Sequence, residues 1–322
     1  MKNLSPIIIV CYNRSEHFKK TIDSLANNED AINSIVYICL DGPRNDNDIN
    51  ERNKIISYAE IKKISFSDLV IIKSLKHLGL RKNIISSVTK ILKKFDKIIV
   101  LEDDIFVSNN FLSYMNCALD FYQNFDKVWH ISGFSPINNF QKKDHVYISN
   151  SMFCWGWGTW KNKWEKFFID EEYLIKIFNS KMINNFNLEN SYDSYSQILS
   201  NKKKKMNTWA VFWYANIFLN NGFCINPYVS LTKNIGLDDS GHNSGLDIEL
   251  DSFQKINNDS FDFKPELIIE ENPNIRKLIK DYHNLKNNTF FNLIEKILIF
   301  FFREKISYKL KFYLNQLKRS IS

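Results

Sequence analysis

The chain has 322 residues, 44% of them apolar and 25% charged, which are the proportions of a globular protein long enough for one large core or two smaller ones. Nine glycines and six prolines exclude a collagen-like or linker-rich architecture. The formal charge of +7 is confined to one end: residues 276–322 hold 11 Lys/Arg against 3 Asp/Glu, which leaves the remainder near −1, excludes a uniformly basic body and predicts no nucleic-acid partner.

In chain order, Pro6–Cys11 is a short β-branched run after a proline and predicts a strand. Ser15–Ala26 carries Phe18, Ile22 and Leu25 at helical spacing, with Ser15 as the expected cap. Ile35–Leu40 reads as a second strand ending at the turn signal Asp41-Gly42-Pro43. A helix over Glu51–Ala59 and a strand over Leu69–Ile72 follow. Leu80–Phe95 places Ile84, Ile85, Val88, Ile91 and Leu92 on one helical face, and Ile98–Leu101 has the length and branching of a buried strand. Further on, Thr208–Leu219 predicts a helix whose Trp209 and Trp213 share a core-facing side. Strands alternating with helices predict an α/β fold with a mostly parallel sheet flanked by helices.

Ligands of such sheets sit at the carboxyl ends of the strands. Here those ends carry Tyr12-Asn13-Arg14, Asp41, His77 and, after the fourth strand, Glu102-Asp103-Asp104. Three adjacent acids repel one another, more so when buried, and a hard divalent cation, Mg²⁺ or Mn²⁺, relieves that repulsion through oxygen ligands. The alternative is an acidic turn in water. Four polar strand ends in succession outline a nucleotide-sized crevice, and the absence of a G-x-G-x-x-G or P-loop run argues against a Rossmann dinucleotide site or a P-loop kinase.

Taken with Phe153–Trp160 and with Asn234-Ile235-Gly236 through Gly241-His242, the run Val100-Leu101-Glu102-Asp103-Asp104 resembles the GT-A glycosyltransferases. The likeness is nearest to the N-acetylglucosaminyltransferase I type and to bacterial surface-polysaccharide transferases, and it spans about residues 5 to 245. The resemblance implies a GT-A catalytic domain over 1–250, with 1–110 as its nucleotide-binding half and 111–250 as its acceptor half, followed by a linker and tail over 251–322. It implies inverting transfer of a hexosyl or N-acetylhexosaminyl group from a UDP-sugar to a cell-surface glycan or lipid-linked oligosaccharide, with Mn²⁺ or Mg²⁺ on the diphosphate. By position it makes Asp104 the metal ligand and Asp103 and Glu102 the donor-sugar or ribose contacts. Asp41 and His77 become uracil readers, Arg14 and Arg81 phosphate partners, and His242 a contact to metal or phosphate.

Four tryptophans fall within Trp155–Trp164. Indoles pack on the C–H faces of sugars, so Trp155, Trp157 and Trp160 are expected as an acceptor wall, the alternative being an aromatic core. Inverting transfer needs a general base. The animal enzymes place an Asp-Asp pair between two tryptophans where this chain reads Trp209-Ala210-Val211-Phe212-Trp213. The base must come from elsewhere, with Asp239, Asp238 and Asp193 as candidates. From Asn274 onward, Phe290 to Phe302 and the basic residues Arg303 to Arg319 suggest amphipathic helices that either dock on an anionic membrane surface or pack on the domain. The five cysteines are widely spaced and form no C-x-x-C pair, and Ile7–Cys11 is too short for a signal peptide. Both point to a reducing, cytoplasmic setting, peripheral to the inner membrane if the tail docks. Two rival readings remain: a non-catalytic carbohydrate-binding scaffold, and a nucleotidyltransferase, which needs a Gly-rich loop that does not follow Cys11.

Overall fold

The structure is a computed structural model that describes residues 4–137, 139–237 and 256–286. Its centre is an eight-stranded sheet. The strands are β1 (Ile7–Cys11), β2 (Ile35–Leu40), β3 (Asp68–Lys73), β4 (Lys97–Glu102), β6 (Val128–Ser132), β7 (Val146–Ser149), β8 (Trp157–Trp160) and β9 (Phe223–Pro227). They lie in the order β3-β2-β1-β4-β8-β6-β9-β7. Pairing is parallel from β3 through β4, and β8 and β7 run against their neighbours. A separate antiparallel pair joins β5 (Ile105–Val107) to β10 (Thr232–Asn234). The fold is therefore mixed α/β with a mostly parallel sheet, as expected.

Period-two alternation explains why this sheet is buried on both sides. Ile7, Ile9, Ile99 and Leu101 join one core with Phe18 and Ile22 of α1 (Ser15–Ala26), Ile55 of α2 (Asp46–Lys62) and Met115 of α4 (Phe111–Tyr122). Ile8, Val10, Ile98 and Val100 join the opposite core with Val88 of α3 (Leu80–Leu92) and Trp213 of α9 (Ala210–Leu219). A smaller core gathers α6 (Glu171–Ile177), α7 (Ser180–Phe186) and α8 (Ser194–Lys202) against α9, and a short helix, α5 (Lys161–Trp164), follows β8.

The four strands read from the sequence fall within a residue of their expected bounds, while several helix ends and one cap differ. Helix α2 starts at Asp46, not Glu51, because the Asn45 side chain accepts from the Asp48 N–H and caps it. Helix α3 stops at Leu92 rather than Phe95. Ser15 is the first helical residue and not the cap, and its hydroxyl donates to Glu51 at 2.6 Å.

The last described helix, α10 (Pro273–Lys286), buries Ile275 and Ile279 against Ile137, Tyr147 and Leu188. Its Arg276 and Lys280 pair with Glu189 at 2.6 and 2.7 Å. This first stretch of the cationic segment thus packs on the body, while residues 287–322, the rest of the expected tail, lie outside the described residues. No helix among the described residues is long and apolar enough to cross a membrane.

Candidate functional site

Strand register builds the site. Val10 stands opposite Glu102, so the loop after β1 and the turn after β4 leave the sheet side by side. From that loop the Arg14 guanidinium reaches across to Asp103 and Asp104, with 2.6 Å to each carboxylate. The Tyr12 backbone N–H donates to Asp103 Oδ2 at 3.3 Å, and the Thr21 hydroxyl holds the Asp103 carbonyl at 2.9 Å. Arg14 remains charged: burial works against the charge, and the two carboxylates more than restore it.

One guanidinium among three acids leaves the cluster short of positive charge. Burial, followed by the charges of Asp104 and Asp103, pushes Glu102 up to about 8, offset in part by Arg14 and by the nearby Trp209 side chain. Burial also raises Asp103, with Arg14 opposing it. Asp104 is 7% exposed, and its Oδ1 is buried without a hydrogen-bond partner. An orphaned, buried carboxylate oxygen costs free energy unless something not bonded to the chain satisfies it.

The β5–β10 pair brings a distant segment onto this turn. Asn234 stands opposite Ile105, the Ile235 N–H donates to the Asp104 carbonyl at 2.8 Å, and the Asn234 side chain accepts from the Gly236 N–H. Gly236 is here for space. A Cβ on it would lie 2.3 Å from Asp104 Oδ2 and 2.8 Å from the Arg14 guanidinium. Gly236→Ala is expected to displace one of those groups and to cost about 1–3 kcal/mol of stability, the usual range for overpacking. Urea unfolding measures this, and an unchanged midpoint would show that the contact is slack.

The rest of the crevice wall comes from the loops after β1, β2 and β3. The Tyr12 hydroxyl donates to Asp48, which also accepts from the Asn13 amide at 2.6 Å, and Arg44 Nε donates to that hydroxyl at 2.6 Å. The Arg44 guanidinium lies 5.0 Å from the centroid of the Tyr12 ring, and the His77 ring lies 4.8 Å from it, tilted by 44°. His77 Nδ1 lies 3.0 Å from Asp41 Oδ2 and 3.3 Å from the Gly42 carbonyl. Both partners only accept, so Nδ1 carries the proton and Nε2 keeps its lone pair.

Several sequence expectations require correction. Asp41 is buried and spends its carboxylate on the backbone N–H groups of Gly42, Leu78 and Gly79, at 2.8–2.9 Å, and on His77. Its lone pairs are consumed in fixing the 77–79 loop, so it does not read a base. Arg81 turns away from the acids to Glu171 at 3.0 Å and Asn201 at 3.3 Å, and its guanidinium lies over the Phe212 ring. Trp157 and Trp160 belong to β8, an inner strand between β4 and β6; they are 0% and 4% exposed on opposite faces of the sheet and offer no wall to a sugar. Trp155 stays half-buried. Asp193 caps α8, accepting from the Ser196 N–H and the Asn187 amide, so its carboxylate is committed to the fold. Asp238, Asp239 and His242 lie outside the described residues.

Three participants escaped the sequence reading. Asp48 anchors Tyr12 and Asn13, and the capping signal at Asn45 would have placed it on a helix facing them. Trp209, read as core, also lies near enough to Glu102 to favour its charged form. The close approach of Gly236 to Asp104 had no local signal.

No family model matches the chain, and no curated protein does. Solved structures match loosely. The galactosyltransferase LgtC, solved with donor and acceptor sugar analogues, is 11% identical at a TM-score of 0.35, over 66% of this chain and 70% of that one. A mannosyltransferase of Pyrobaculum calidifontis, solved with GDP-mannose and Mn²⁺, is 9% identical at 0.38, over 69% and 72%. A cytidylyltransferase of Leptospira borgpetersenii is 11% identical at 0.32, over 64% and 74%. At such distances the chain's own residues have to carry the functional reading.

Proposed function

We propose that the protein is a metal-dependent glycosyltransferase of the GT-A kind that moves a hexosyl or N-acetylhexosaminyl group from a UDP-sugar to a glycan or lipid-linked oligosaccharide. The observation that carries this reading is the acidic cluster at the end of β4: three carboxylates, one guanidinium and an unpartnered buried Asp104 oxygen. That set lacks positive charge and has a hard oxygen to offer, which suits Mg²⁺ or Mn²⁺.

Among the described residues no group of three or more His, Cys, Asp or Glu converges on a point fit for a metal. Such ions commonly take one or two carboxylates and complete their shell with phosphate oxygens and water, so Asp104, with Asp103 beside it, is a sufficient protein contribution. When bound, the ion neutralises the diphosphate as it leaves. Arg14, already held between the two aspartates, supplies a guanidinium fork to the same phosphates. Glu102, its carboxyl raised by burial and by its acidic neighbours, is placed to donate to or accept from a donor hydroxyl. The Tyr12 and His77 rings offer a stacking surface for the nucleobase, with His77 Nε2 as its polar contact.

Calorimetric titration with UDP tests the reading. Binding is expected with Mn²⁺ and at least tenfold weaker with EDTA. Absence of binding under both conditions would refute the transferase and leave the scaffold reading.

A further inference from the structure

The segment after β7, the start of α8 and the end of α10 surround a cavity of about 180 Å³. That is close to the roughly 150 Å³ of an apolar protein cavity that admits one benzene ring, so the space holds a single six-membered ring. Its walls are aromatic. Phe134 meets Trp155 edge to face at 4.5 Å, Tyr192 stacks on His283 at 4.5 Å, and Tyr282 lies 6.4 Å from Phe134.

The wall is not wholly apolar. The hydroxyls of Ser151 and Ser194 line it, both residues more than nine-tenths buried, and neither hydroxyl has a hydrogen-bond partner. An acyl chain would fill the volume but offer neither hydroxyl a partner, leaving in place a penalty of about 1–3 kcal/mol each. A pyranose meets both demands, because its C–H face packs on aromatic rings while its hydroxyls pair with the serines. Position agrees. Trp155 of the cavity wall accepts at its carbonyl from the Thr232 hydroxyl at 2.7 Å, and Thr232 opens β10, whose far end meets the Asp104 turn, so one short strand links the cavity to the acidic cluster.

We propose that this cavity is the subsite for one pyranose ring of the acceptor, with Trp155 and Tyr192 as its apolar contacts, Ser151 and Ser194 as its hydroxyl partners, and α10 as one wall. The acceptor role rests on the transferase reading; the ring site does not. Helix α10 thereby acquires a task in substrate selection besides closing the fold.

Saturation-transfer NMR on the whole chain tests this with the methyl β-glycosides of glucose, galactose and N-acetylglucosamine, and with decanoate as the alkyl control. Saturation of ring C–H protons is expected for at least one glycoside. Ser151→Leu, which fills the cavity, is expected to abolish it, and Ser194→Ala to weaken it several-fold, while both variants still bind UDP with Mn²⁺ as proof of folding. Saturation that survives Ser151→Leu, or decanoate binding without any glycoside, would overturn the proposal. UDP binding with no glycoside signal would remove the subsite and leave the transferase. A glycoside signal with no UDP binding would support the ring site and overturn its acceptor role.

Discussion

An Asp104→Asn protein is expected to turn over a UDP-sugar at least about a hundredfold more slowly than its parent while unfolding at no lower temperature. The two halves of this expectation have one origin. Glu102, Asp103 and Asp104 are consecutive, the first half-buried and the other two buried, and among the described residues Arg14 forms the ion pairs to them, so negative charge is crowded there; burial first and the neighbouring carboxylates after it raise Glu102 and Asp103. A carboxamide keeps the volume, accepts from Arg14 and removes one charge, and therefore relieves repulsion in the resting protein. It also discards the charge that would hold a cation against a diphosphate, and a hundredfold in rate is about 2.7 kcal/mol, the scale of one lost electrostatic contact at a reacting centre. Turnover with Mn²⁺ and thermal unfolding in EDTA give the two readings. If stability and activity fall together, the cluster is structural. If turnover is unchanged, Asp104 is no metal ligand.

The parts of the fold that were legible in the sequence are those written locally. β1, β2 and β4 are β-branched runs whose burial on both faces needs no knowledge of their neighbours, and α1 shows its buried stripe in Phe18, Ile22 and Leu25. What was not legible depends on pairing across long stretches of chain. Whether a tryptophan in Phe153–Trp160 is wall or core is decided by β8 inserting between β4 and β6, which buries Trp157 and Trp160 and leaves Trp155 at the edge. Asp41 looked like a crevice residue until the 77–79 loop closed on it, a contact the tight approach of Gly42 to the Lys76 backbone permits. Arg14 was legible as a basic residue near the acids, but its bridging position follows from the Val10–Glu102 register. The general base stays unassigned, since Asp193 is spent on a cap and Asp238 and Asp239 lie outside the described residues.

Acidification is expected to destabilise the protein through His130, a residue that stands in no recognisable motif. It lies in β6 with no exposed surface, stacked on Trp157 with ring centroids 5.4 Å apart. The Trp213 indole N–H donates to its Nδ1 at 3.2 Å, and its Nε2 lies 2.9 Å from the Phe153 carbonyl. An indole only donates and a carbonyl only accepts, so the ring is the neutral Nε2–H tautomer, and a second proton would have to displace the indole. Burial, opposed in part by the Phe153 carbonyl, lowers its pKa from 6.5 to about 4. Between those values the unfolded chain binds a proton that the folded chain refuses. The contribution is therefore complete above about pH 6.5 and is lost as pH falls through about 4. At 1.36 kcal/mol per pH unit the loss is roughly 3 kcal/mol. Carboxylates titrate over the same range, so the measurement is the difference in slope between the parent and His130→Gln in urea unfolding from pH 7 to 4. The variant is expected to start lower, having lost a fitted ring, and to fall less steeply; equal slopes would clear His130 of the effect.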